Sequence, residues 1–178
     1  MLHHRIIGPG NIYVSEDPLD MLVAYGIGSC LGVGMIDPKR HIGGMAHAVL
    51  PGSMNGTISN SLNFVDYSIY SLFRKMASLG SKPKDMTVCL VGGADMLLTQ
   101  NKVDHFDHGT KNVQSAYHAL SKLDLPVYAQ EIGGNVGRTF RIYINDGRMT
   151  CRVIGGTEKI LVKSSYKEIP VSKEKSNV

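Results

Sequence analysis

A cysteine and a histidine at hydrogen-bonding range can carry out nucleophilic hydrolysis of an amide, and this chain places one of each in neighbouring apolar stretches, at Cys30 and His47. The thiolate is the reactive species, and a free thiol with a pKa of about 8.5 is mostly protonated at neutral pH. A neighbouring imidazolium would lower that pKa and could then protonate a departing amine. The approach to the thiol reads Gly26-Ile27-Gly28-Ser29-Cys30, in which the glycines permit a backbone bend that other residues resist. A bend supported at Gly28 can aim the N–H groups of Ser29 and Cys30 at one point, as an oxyanion hole requires. Gly32 and Gly34 follow and leave one strand face bare, so that another backbone or a substrate can approach. The other two cysteines, Cys89 and Cys151, have no such approach and no opposed histidine, and they read as core.

The elements that must position this pair follow from apolar patterning. Leu22–Ile36 is apolar and glycine-rich and ends at the turn signal Asp37-Pro38; Ile42–Leu50 is apolar and ends at Pro51-Gly52. Together they predict an antiparallel hairpin. A turn centred near Lys39 sets Cys30 and His47 almost opposite each other, where same-face Cβ atoms lie about 4.5–5.5 Å apart. Residues 1–20 read as a leader with a short apolar run, Ile12–Val14. Apolar residues at helical spacing predict a helix over 61–79, with Ser59 or Asn60 as N-cap and Gly80 as its stop. A second helix is expected over 111–123, ahead of Pro126. Strands are expected at 86–91, 127–132, 139–144, 149–154 and 159–162, with Asn145-Asp146-Gly147 as a hairpin turn. The order of strands, helix, strand, helix and strands predicts an α+β fold, with layered mixed sheets flanked by two main helices, rather than a doubly wound parallel sheet. The reading is one domain over 1–163 and a polar, flexible tail over 164–178.

The whole chain narrows the function classes. Its 178 residues suffice for one hydrophobic core, and 43% hydrophobic with 19% charged residues is an ordinary globular balance. A net charge of +4 without a basic run or basic–aromatic interleaving argues against nucleic acid as partner. Three widely spaced cysteines with no CxxC pair argue against a disulfide framework or a structural zinc. No signal-like or membrane-spanning stretch is present, so a reducing cytoplasm is the expected location. Asp104, His105, Asp107 and His108 are metal-ligand types but read as a solvated loop before a helix, so no metal or other cofactor is expected. Gly133–Arg138, GGNVGR, resembles a phosphate loop only superficially, because it joins two strands instead of opening a helix.

The stretch GIGSCLGVGMIDPKRHIGGMAHAVLPG is similar to the signature of the CheD family, the chemoreceptor glutamine deamidases of bacterial chemotaxis. The resemblance lies in Gly28-Ser29-Cys30, Asp37-Pro38 and Gly43-Gly44-x-x-His47-x-x-Leu50-Pro51. VGGADM at 91–96, Gly109-x-x-Asn112 and GGNVGR at 133–138 extend it over about residues 22–156. It implies a cysteine-dependent protein-glutamine glutaminase acting on the cytoplasmic helical domain of methyl-accepting chemotaxis receptors, giving glutamate and ammonia. Cys30 falls on the family's nucleophile and His47 on its histidine. The implied fold is a layered α+β domain related to glutamine-deamidating toxins and papain-like hydrolases, and a CheC-like phosphatase is an implied partner. Where the family usually carries a threonine, five or six residues before the cysteine, this chain has Ala24 and Tyr25. Two groups are candidates to orient the imidazole in its place: the Tyr25 hydroxyl and a backbone carbonyl. The alternative is a catalytically weak or inactive adaptor that binds receptors or the phosphatase.

Overall fold

Segments that are apolar at every position, rather than at every second one, must be covered on both faces. That is how the middle of this molecule is built. The computed structural model describes residues 1–52, 59–96 and 107–163. Among these, the strands are β1 (His3–Ile6), β2 (Asn11–Ser15), β3 (Asp20–Ile27), β4 (Leu31–Asp37), β5 (Ile42–Ala48), β6 (Thr87–Gly92), β7 (Val127–Ile132), β8 (Arg138–Tyr143), β9 (Met149–Val153) and β10 (Glu158–Val162). Two α-helices, α1 (Val65–Ser78) and α2 (His108–Lys122), lie between β5 and β6 and between β6 and β7.

The strands form two five-stranded sheets, ordered β1-β3-β8-β9-β10 and β2-β5-β4-β6-β7. Both are mixed: β1 runs parallel to β3 and β7 parallel to β6, while the other pairings are antiparallel. Leu31, Val33 and Met35 of β4 and Ile42, Ala46 and Ala48 of β5 pack with Ile69, Leu72 and Met76 of α1 and Ala116 and Leu120 of α2. Residues of the opposite parity, among them Ile36 and Met45, pack with Leu22, Phe140 and Ile142 of the other sheet. The second sheet is therefore the central layer, between an outer sheet and the helices, and every residue of β4 and β5 is buried. The expected α+β class with layered mixed sheets and two helices holds.

Five local expectations change, the first being the helix expected over 61–79, which runs Val65–Ser78 with Phe64, and neither Ser59 nor Asn60, at its N-cap position. Residues 1–20 are not a leader; they supply β1 and β2, one edge of each sheet. The stretch 22–36 is not one hairpin arm. It breaks at Gly28-Ser29-Cys30, where the chain leaves the outer sheet after β3 and enters the central sheet at β4. Continuous apolarity hid the break, because both strands are buried. The space at Gly32 and Gly34 is not open to substrate either: a Cβ on Gly34 would lie 2.6 Å from the Phe140 ring, and one on Gly32 would lie 2.9 Å from Ile27 Cδ1. Those glycines let the outer sheet's side chains lie flat on the central sheet. Finally, α2 begins at His108, earlier than 111, because Asp107 caps it by accepting from the Thr110 N–H at 2.9 Å. The β8–β9 hairpin and β10 fall where expected. The expected tail over 164–178 lies outside the described residues.

Candidate active site

Cys30 sits at the crossover between the sheets, one residue before β4 and packed against the inter-sheet core, while remaining partly exposed. The three carbonyls of the crossover are all held. The Gly28 carbonyl accepts from the Ala94 N–H at 2.9 Å and that of Cys30 from the Gly93 N–H at 2.8 Å. The Ser29 carbonyl accepts from Asn112 Nδ2 of α2 at 2.8 Å. With its carbonyls tied down on the protein side, the loop has the Ser29 and Cys30 N–H groups without a backbone acceptor among the described residues. That is the property an oxyanion site needs.

His47 lies in β5 and is 2% exposed. The β4–β5 register sets Gly32 opposite His47. Cys30, two residues before Gly32, therefore falls on a diagonal to His47 and not directly across from it. The expected same-face relation survives, because a shift of two residues restores the face. Diagonal neighbours lie about 7–8 Å apart between backbones, still within reach of an imidazole. Both residues look into the space between the two sheets, at the end where β3 crosses to β4.

The partner of the imidazole comes from the segment that sequence reading set aside. His47 Nδ1 lies 3.1 Å from the Ile7 carbonyl, just beyond β1. A carbonyl only accepts, so Nδ1 must carry the proton and donate it. The neutral ring then presents a bare lone pair at Nε2, which is buried and has no hydrogen-bond partner among the described residues. Ile7 is itself fixed by its N–H to the Val23 carbonyl at 2.8 Å, and the Gly10 N–H donates to the His47 carbonyl at 2.8 Å. Of the two ways to orient the ring, the backbone carbonyl is the one present. Tyr25 is half-exposed on β3, and neither ring nitrogen bonds to it. Ile7 left no trace in the sequence pattern, since a main-chain acceptor has no residue signature.

The electrostatics correct a second expectation. Burial pushes the Cys30 thiol above its ordinary pKa, opposed by its own backbone N–H. Burial also pushes His47 below its ordinary value, opposed by the bond to Ile7. Neither shift draws on the other group, and both directions favour a thiol beside a neutral imidazole over a thiolate–imidazolium ion pair. The chemistry open to such a pair is general-base catalysis, in which a neutral imidazole nitrogen takes the thiol proton as sulfur attacks. Cys89 and Cys151 are buried in the inter-sheet core; desolvation raises the first strongly and lifts the second to about 11, so both stay protonated.

The depressed His47 has a measurable consequence for stability. An unfolded histidine titrates at about 6.5, and folded His47 titrates lower. Between those values the unfolded chain binds the extra proton, so stability is full above about pH 6.5 and falls as pH drops below it. The midpoint of urea unfolding should decline through that window. His47→Gln should flatten the decline.

Other candidates resolve simply. Asp104 and His105 lie outside the described residues, and Asp107 serves as the α2 cap. Among the described residues, His3, Asp17 and Asp20 have metal-ligand types within 4.8 Å of one another, but Asp20 already accepts from Arg5 Nε at 2.8 Å and Ser15 Oγ at 2.6 Å. The GGNVGR loop joins β7 to β8, as expected, and packs on the 92–95 turn: Gly133 N–H donates to Gly92 O, and Asp95 N–H to Gly134 O. It therefore braces the turn that holds the Cys30 loop.

The family described as CheD chemotactic sensory transduction matches residues 49–153, a span that opens just after His47. A Caldanaerobacter subterraneus subsp. tengcongensis protein named probable chemoreceptor glutamine deamidase CheD is 35% identical over 150 residues, covering 84% of this chain and 92% of the relative. A protein of the same name from Clostridium botulinum strain Hall is 32% identical over 156 residues, covering 86% and 96%. Among solved structures, the crystal structure of Bacillus licheniformis hypothetical protein YfiH is 13% identical, with a TM-score of 0.43, and covers 70% of this chain and 50% of that one. No described helix is long and apolar enough to cross a membrane.

Proposed function

The chain belongs to the CheD family, and on that footing we propose that it is a cysteine-dependent deamidase of glutamine side chains on chemoreceptors, acting in bacterial chemotaxis. The observation that supports the mechanism best is the Nδ1–Ile7 bond, which leaves His47 Nε2 as a bare, buried base on the same face as Cys30. In the proposed reaction, Nε2 accepts the Cys30 proton as Sγ attacks the carboxamide carbon. The Ser29 and Cys30 N–H groups hold the oxyanion, with Gly28 shaping the loop. The imidazolium protonates the departing nitrogen, the C–N bond breaks, and ammonia leaves a thioester. His47 then takes a proton from water, hydroxide adds to the thioester, and expulsion of sulfur returns the proton to Cys30. The balance is glutamine plus water to glutamate plus ammonia, with no cofactor.

This reading places the protein in the cytoplasm, as one catalytic domain over 1–163, with the receptors' cytoplasmic helical domain as substrate and a CheC-like phosphatase as regulatory partner. Tyr25, half-exposed, has no part in orienting His47, whose Nδ1 is held by the Ile7 carbonyl. The test is mass spectrometry of receptor cytoplasmic fragments incubated with the protein, with Cys30→Ala as blank. A gain of about 1 Da at discrete glutamines, absent from the blank, is the expected result. Equal conversion by both proteins, or none by wild type, rejects it.

A further inference from the structure

The nucleophile and the base reach the site on separate segments, and one side chain joins them. Asn112, fully buried on α2, donates from Nδ2 to the Ser29 carbonyl at 2.8 Å and to the Val49 carbonyl at 3.0 Å. Ser29 is the residue before Cys30, and Val49 comes two residues after His47, just past the end of β5. Only an amide or similar nitrogen can face two carbonyl oxygens at once, so a carboxylate at this position would repel both. The helix that carries it is seated firmly. The space of a Cβ on Gly109 is taken by the Gly93 and Ala94 carbonyls, the same turn whose N–H groups hold Gly28 and Cys30. Asn112 Oδ1 is buried and has no partner among the described residues, so the side chain is not there to complete its own hydrogen bonding.

We propose that Asn112 is a positioning residue for the Cys30–His47 pair, fixing the distance between the nucleophile loop and the end of the histidine strand. The inference rests on the deamidase reading for its effect on turnover but not for its geometry. A misplacement of about 1 Å in a reacting pair costs on the order of 100-fold in rate. Asn112→Ala should therefore lower kcat for receptor-glutamine conversion about 100-fold while KM changes less than about threefold. Ser115→Ala, one turn along the same helix, removes a bond to the Gly52 N–H at 2.8 Å and serves as control, with kcat unchanged. Alkylation of Cys30 by iodoacetamide, followed on its own peptide against pH, gives a second readout. In Asn112→Ala the loosened loop admits water, and the midpoint should move down toward the free-thiol value of about 8.5; Ser115→Ala should keep the wild-type profile.

A kcat within about threefold of wild type, or an equal loss in Ser115→Ala, overturns the proposal. If Asn112→Ala does not fold, Asn112→Ser, which keeps one donor, is judged by the same two measurements. Should wild type convert no receptor glutamine, the deamidase reading fails separately, and the alkylation profiles decide alone: superimposed wild-type and Asn112 variant curves overturn the positioning role.

Discussion

His47→Gln is expected to cut kcat about 1,000-fold while leaving the pH profile of Cys30 alkylation almost where it was. The first half follows from the chemistry. An amide nitrogen cannot leave unprotonated, and the thioester formed on Cys30 needs a base to deliver water, so one imidazole serves both halves of the cycle. The second half follows from the electrostatics. The thiol is held up by burial, with no contribution from His47, and His47 is held neutral by its own burial. Removing the ring thus takes away the proton acceptor without changing what sets the resting thiol. A thiolate–imidazolium enzyme behaves oppositely: loss of its histidine raises the thiol pKa and slows alkylation at neutral pH. A midpoint displaced upward by a unit or more in His47→Gln would show that the ion pair exists in the resting state. The same logic sets the acid limb of kcat/KM. It should lie below about pH 6.5, because protonated His47 cannot accept the thiol proton and the ring resists protonation.

The proposed pair is suggested by the sequence, but the frame that holds it is not. Cys30 and His47, the proposed pair, stand out because glycine spacing and strand patterning are local signals, and residues two apart along a strand share a face, which keeps the diagonal pair on one side. Three features had no such signal. The sheet change at Gly28–Cys30 is masked because β4 is buried throughout and β3 everywhere but at Tyr25 and Gly26, so that the two apolar runs read as one strand. The carbonyl that orients His47 belongs to Ile7, whose role is carried by main chain and is blind to side-chain type. Asn112 stood in a recognisable motif, yet its two acceptors, Ser29 and Val49, lie 83 and 63 residues away in sequence, beyond any local pattern. Pairings between distant segments decide such features, and only the fold supplies them.

Gly92→Ala should be among the most damaging single-methyl changes at the described residues, and the reason joins stability to activity. Gly92 ends β6 with φ at +118°, well outside the region that an L side chain tolerates. Its added Cβ would fall inside van der Waals contact of the Cys30 carbonyl oxygen and 2.5 Å from Ile27 Cγ2. Backbone strain of this kind costs about 1–3 kcal/mol, and overpacking a well-filled site costs about as much again, for roughly 4 kcal/mol in all. Set against the roughly 5–15 kcal/mol that hold a domain folded, this is a large share. Gly155 provides the comparison: its φ is +77° but nothing lies within 4 Å of the added atom, so Gly155→Ala should cost only about 1–2 kcal/mol. The two differ in what gives way. At Gly92 the obstacle is main chain, and the Cys30 carbonyl can retreat only by releasing its bond from the Gly93 N–H. The methyl should therefore displace Cys30, the proposed nucleophile. Denaturant midpoints of both variants, with kcat measured at temperatures where each is folded, separate the effects: Gly155→Ala should keep wild-type turnover, and Gly92→Ala should lose it even in its folded fraction. Wild-type turnover in folded Gly92→Ala would mean that Cys30 does not need the loop geometry on which the proposed mechanism depends.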